Sequence, residues 1–265
     1  MTTEFLSKDH TILERPFMEF RPFGRDERGE KIRDISGVVV KANVDYLTGH
    51  ITRKSGHSAS TQAVESLCRL LNERLRDPAY HVTPEFLENE WNSYSYEFTC
   101  YLREFGKLLT GDPLFVLHTA IEQHISPLIQ VLCRPFNMGQ IYTMTPHLAA
   151  KFSKGIFVEV VGVSGHTAIQ RMMFTERALA QFGPYRKACT ALTCQACKGG
   201  LITLPEKVHH FPPAVVKDLS CMQEGDDWCT FEVSWVESDR GGMFKWFRDM
   251  LKRGAQRFGK SAIGK

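Results

Sequence analysis

Five of the eight cysteines, Cys189, Cys194, Cys197, Cys221 and Cys229, fall within 41 positions of one another. Their spacing reads Cys194-x-x-Cys197, then Asp218-x-x-Cys221, then Cys229 after seven intervening residues. Thiolates and one carboxylate can close a tetrahedral zinc site, and a hairpin with Cys221 and Cys229 on its two arms would bring those sulfurs together. The second half is not a second CxxC, so a zinc ribbon does not match. A competing reading sets Cys189, Cys194 and Cys197 against a core from one helix. Cys68, Cys100 and Cys133 stand singly among apolar residues and read as small core side chains.

Other chemistry is sparse. There is no Gly-rich phosphate loop, no G-x-S-x-G and no H-E-x-x-H. Residues 56–60, GHSAS, lack the second glycine of a nucleophile elbow, and Glu88 and Glu90, two apart on a helix, point away from each other. The expectation is a protein that is not an enzyme. His209-His210 beside Phe211-Pro212-Pro213 reads as a loop. Tyr94, Tyr96, Phe98 and Tyr101 could line an apolar pocket whose hydroxyls orient a ligand. The alternative for them is a core helix.

The elements that must position these groups follow from pattern. Residues 1–33 mix charge with Pro16, Pro22 and Gly24 and read as an extended arm. Val64, Leu67, Cys68, Leu71 and Leu75 recur at helical spacing, and Thr83-Pro84 opens a short helix through Phe86 and Leu87. Helices are expected over 93–109, ended by Gly111, from Asp112-Pro113 through Ile125, around 128–132, and over 145–152. The character then changes. GIFVEVVGV (155–163) and TAIQRMMF (167–174) read as a hairpin. A helix over 185–197, stopped by Gly199-Gly200, precedes two strands joined by the turn EGDD. The predicted class is α+β: a helical part (34–152) packed on an antiparallel sheet of about four strands within 153–239, with the Cys-rich zinc clip near the C-terminus.

Charge divides the chain. Residues 240–265 hold eight Lys or Arg against Asp249 alone, so residues 1–239 sit near −4 and give no electrostatic reason to expect nucleic acid. In that tail Met243, Phe247, Met250, Leu251 and Phe258 can share a helical side flanked by basic residues, which suits an anionic membrane surface, an acidic partner groove or the body itself. With no signal-peptide core and no run of eighteen apolar residues, the expected location is cytoplasmic, with peripheral membrane contact through the tail.

The stretch FGPYRKACTALTCQACKGG, followed by DLSCMQEGDDWCTFEVSW, resembles the 4-vinyl reductase-like small-molecule-binding domain. That module also serves as the sensor of bacterial activators responsive to phenols and xylenes, and its fold is shared with a vesicle-tethering subunit and haem nitric-oxide-binding proteins. The resemblance implies a structural zinc on Asp218, Cys221 and Cys229, with Asp where the activators have Glu, and an upstream cysteine. Cys194 fits the spacing best, with Cys197 or Cys189 as alternatives. From about Asp34 the chain also resembles sensory regions that precede histidine kinases and nucleotide cyclases, on HVTPEFLENEWNSYSYEF and ISPLIQVLCRPF. The implied function is a sensor of a small apolar or aromatic molecule that signals to a partner such as a kinase or cyclase, in this chain the sensor alone. An interaction scaffold of the same fold, or a tetrapyrrole-binding or reductase-related protein, is the alternative. Haem is set aside, because the family's Tyr-x-Ser-x-Arg element is missing and His118 and His124, six apart, do not share a helix face.

Overall fold

The computed structural model describes residues 11–125 and 127–237. The basic tail, 240–265, lies outside the described residues. The chain runs through β1 (Ile35–Ser36), α1 (Gly37–Ser55), α2 (His57–Asn72), α3 (Pro84–Glu88), β2 (Ser93–Tyr94), α4 (Tyr96–Thr110), α5 (Phe115–Glu122), α6 (Pro127–Cys133), α7 (Met138–Thr143) and α8 (Thr145–Phe152). It continues through β3 (Ile156–Ser164), β4 (Thr167–Phe174), α9 (Glu176–Phe182), α10 (Arg186–His209), β5 (Val215–Ser220) and β6 (Cys229–Ser234). The class is α+β, with a helical N-terminal half and a four-stranded antiparallel sheet ordered β3-β4-β6-β5.

Caps place several boundaries. Thr83 Oγ1 accepts from the Phe86 N–H at 3.3 Å with Pro84 at the first helical position, and Ser95 Oγ accepts from the Phe98 N–H at 3.3 Å. Ser95 therefore starts α4 at Tyr96 rather than at Ser93. Ser93 and Tyr94 instead pair with β1, and Gly111, at φ 66°, ends the helix in the left-handed region.

The segment before Asp34, expected as an extended or partly ordered arm, packs on the body from residue 11 onward: Ile12 is fully buried and the Met18 N–H donates to the Arg74 carbonyl at 2.9 Å. Helix α1 was not foreseen, because its Val38-Val39-Val40 run favours a strand locally. Burial of Val40, Val44 and Leu47 against α2 and α4 outweighs that preference, each such side chain being worth about 1.5–3 kcal/mol. Nor does Gly199-Gly200 stop α10. Gly199 lies against Ala120 and the Leu117 carbonyl of α5, so the glycine serves close helix packing and α10 runs on for ten more residues.

Pro205 sits inside α10 and cannot donate to the Leu201 carbonyl. The Tyr142 hydroxyl takes that place at 2.9 Å, and the Ile202 carbonyl accepts from the Ala214 N–H at 2.8 Å, tying α7 and the start of β5 to the helix. The sheet's inner face, with Ala168, Gln170, Met172 and Phe174 from β4 and Cys229, Phe231 and Val233 from β6, is buried. Met172 pairs with Cys229 at the end of the β4–β6 ladder, so the buried sulfur of β6 lies on a central strand at its turn end.

Candidate metal centre

Hairpin β5–β6 is held at its tip by its own acidic turn. Asp226 Oδ2 accepts from the Cys221 N–H at 2.8 Å, the Glu224 N–H returns to the Cys221 carbonyl at 2.8 Å, and Gly225 takes φ 102°. Ser220 Oγ donates to the Trp228 carbonyl at 2.9 Å. This places Cys221, just past β5, beside Cys229 at the start of β6, and Cys194 comes down on both from α10.

The Sγ atoms of Cys194 and Cys229 lie 3.0 Å apart, those of Cys221 and Cys229 3.8 Å apart, and all three within 4.8 Å of one another. Zn–S bonds of about 2.3 Å at tetrahedral angles put sulfurs about 3.8 Å apart, so the triangle is near the size a thiophilic ion needs. All three are free thiols. The Cys194 thiol donates to Cys229 and, with the Met222 N–H at 3.4 Å, pulls the Cys229 pKa down against burial. Cys194 is held up by that same contact and by burial, and Cys221 chiefly by burial. The cluster can thus carry one thiolate before any cation arrives, the form that ligates metal.

The remaining candidates lie elsewhere. Asp218 does not join the sulfur cluster: on edge strand β5 its Oδ2 accepts from Lys198 Nζ at 2.5 Å. Cys197, one turn on from Cys194, points at Met172, with Sγ 3.2 Å from Sδ, and burial pushes its thiol up to about 12. Cys189 faces Cys100 of α4. Of the three upstream candidates, the geometry brings Cys194 to the hairpin.

Tyr94, Tyr96, Phe98 and Tyr101 are all fully buried. Their hydroxyls are committed: Tyr94 donates to the Phe86 carbonyl at 3.0 Å, Tyr96 bonds Ser153 Oγ at 2.6 Å, and Tyr101 donates to the Arg15 carbonyl at 2.7 Å. Tyr94 stacks on Phe98 at 5.1 Å. None of the four lines either of the cavities described below, so the pocket expected at them is corrected to packed core. Sequence reasoning passed over Arg103, a charge on the same apolar helix as these aromatics, three residues from Cys100 and seven from Tyr96. A charged residue on an apolar stripe was the available signal.

One cavity, of about 520 Å³, opens between α2 and the segment before α3 and is lined by Cys68, Asn72, Val82 and Thr83 among others. Another, of about 420 Å³, lies between α1 and α5 and is walled by Tyr46, Thr119 and His124 with the charged Lys41, Asp45, Arg53, Glu90 and Glu122. Beneath it Asp112 Oδ2 accepts from the Tyr46 hydroxyl at 2.7 Å and meets His118 Nδ1 at 2.8 Å.

No family model matches the chain, and no curated protein matches it. Solved structures do match, H-NOX proteins among them. One from S. oneidensis, a mutant in the Fe(II) ligation state, is 12% identical, covers 78% of this chain and 98% of its own, and has a TM-score of 0.46. One from K. algicida, an unliganded Fe(II) mutant, is 11% identical over 77% of this chain and 98% of its own, with a TM-score of 0.44. A third, described as probing heme distortion in the H-NOX family, is 9% identical over 77% and 96%, also at 0.44.

At such values the likeness assigns this chain no ligand. It does overturn one expectation. Haem was set aside for want of a motif; structures that match are described by Fe(II) and heme, and that dismissal is withdrawn. Each of the two cavities is reached by a histidine, His81 in the one beside α2 and His124 in the one between α1 and α5, and both also carry charged residues in their walls. No step below is routed through haem. Among the described residues no helix is long and apolar enough to cross a membrane.

Proposed function

We propose that the chain is a small-molecule sensor or regulatory domain of the 4-vinyl reductase-like kind, which binds its ligand without turning it over and passes occupancy to a partner such as a kinase or cyclase. Cys194, Cys221 and Cys229 hold a metal ion that pins hairpin β5–β6 to α10, and zinc is the first ion to test. The observation that carries the reading is the convergence of these three sulfurs within 4.8 Å, because the resemblance rests on the same cysteines. The fourth position is open to water or to a carboxylate released from its lysine.

Elemental analysis of protein purified without added metal tests it. Near-stoichiometric zinc that Cys229→Ser abolishes supports the reading, whereas metal-free protein that melts unchanged in the presence of zinc sinks the metal part. Thermal-shift screening with phenols, other aromatics, tetrapyrroles and haem tests the ligand part, and product formed from any of them would overturn the non-enzyme reading. The scaffold reading draws support from the close-packed aromatics of α4, where an entering ligand must part existing contacts. A ligand that raises the melting temperature decides against it.

A further inference from the structure

Arg103 is 3% exposed in the middle of α4, and neither its Nε nor its Nη1 has a hydrogen-bond acceptor among the described residues. A buried guanidinium left in this state is costly, so its neighbours need a full account. Around it stand Tyr96 and Cys100 of α4 and Cys189 and Cys197 of α10. No carboxylate stands among them. The Tyr96 hydroxyl is bonded to Ser153, burial raises the pKa of Tyr96 and Cys197, and the contact with Cys100 together with burial raises that of Cys189. The buried carboxylates are spoken for: Glu97 binds Arg15, Glu104 lies 3.0 Å from Lys107 Nζ, and Asp34 accepts from Gln181 and pairs with Arg177.

We infer that Arg103 is the recognition residue for an anionic ligand, a small apolar carboxylate, taken into the interior between α4 and α10. The inference rests on the sensor reading above and deepens it by naming the ligand's chemical class. A carboxylate would supply the missing acceptors, and guanidinium is the side chain best matched to that planar anion. The thiols and the aromatic ring around Arg103 would receive the apolar remainder. Entry requires α10 to shift against α4. Cys194 and Cys197 are three residues apart on α10, so that shift is carried directly to the sulfur cluster and hairpin β5–β6.

Matched isosteres test it: benzoate against benzamide, and octanoate against octanamide, titrated calorimetrically into the full chain with its metal content unaltered. The carboxylates should bind roughly ten- to a hundredfold more tightly than the amides. Arg103→Met should erase that ratio while melting no lower than the parent. Amides binding as tightly as carboxylates would overturn the inference yet leave the sensor reading standing. A carboxylate preference that survives in Arg103→Met would place recognition elsewhere, and a large fall in melting temperature would make Arg103 structural. Failure of all four probes overturns the inference, and the sensor reading falls with it only if the phenol, aromatic, tetrapyrrole and haem screen is also blank. If Arg103→Met does not fold, Arg103→Lys must weaken the carboxylates at least tenfold and spare the amides, and equal weakening of both sinks the proposal.

Discussion

Two buried arginines, Arg15 and Arg103, are handled in opposite ways. Arg15, 5% exposed, binds Glu97, donates to the Gln181 carbonyl at 3.2 Å and lies over the Tyr185 ring at 5.3 Å. Glu97 in turn accepts from the Glu19 and Phe20 N–H groups, the latter at 2.8 Å, and Gln181 closes the network onto Asp34 at 2.6 Å. Every charge there has its complement within the chain, which is what fastens residues 11–33 to α4 and α9. Around α10 the balance differs: among the described residues Arg103 Nε and Nη1 meet no acceptor, and the sulfurs of Cys194, Cys221 and Cys229 converge within 4.8 Å of one another.

Breaking the closed network should have the largest effect. Glu97→Ala leaves the buried Arg15 charge with only the exposed Glu19 carboxylate, 3.6 Å away, and a loss of about 3–5 kcal/mol is expected by urea denaturation. A loss under about 1 kcal/mol would mean the two arginine environments do not differ as described.

Next comes the sulfur cluster. An ion present at a thousand times its dissociation constant adds about 4 kcal/mol, so stripping it with a chelator should lower the melting temperature of the parent and leave Cys229→Ser unmoved. Equal melting of parent and variant, with and without chelator, would remove the metal from the comparison.

For Arg103 the sign reverses. With no ligand, Arg103→Met should be neutral or stabilising by about 1–4 kcal/mol, in contrast to the loss at Glu97. A destabilisation of similar size to Glu97→Ala would erase the distinction.

Lys207 is an intermediate case and carries the smallest effect. Its Nζ donates to the Ala120 carbonyl at 3.1 Å, and burial brings its pKa from 10.5 down to about 8. Because the folded value is depressed, the stability it contributes is present above pH 10.5 and lost as pH falls through about 8. Parent protein should therefore gain stability relative to Lys207→Met as pH rises from about 8 to 10.5, and parallel pH profiles would contradict this.

Local pattern by itself determined much of this protein. Thr83-Pro84 and Thr145-Pro146 started the helices they announced, and the alternation in 155–163 and 167–174 produced β3 and β4, because caps and pleats are properties of a few adjacent residues. The spacing of Cys221 and Cys229 likewise foretold a hairpin with one on each arm, and both flank its turn. Tertiary structure decided the rest. It chose Cys194 over Cys197 and Cys189, since helical phase relative to the sheet sets which sulfur faces the hairpin. It drew Asp218 to Lys198, which lies twenty residues back on α10. It also turned Val38-Val39-Val40 into helix and carried α10 past Gly199-Gly200, because contacts with α2, α4 and α5 outweigh propensities of up to about 1 kcal/mol per residue. That Nε and Nη1 of Arg103 meet no acceptor among the described residues is visible only with the neighbours in place, because a missing partner is a property of the interior and not of local sequence.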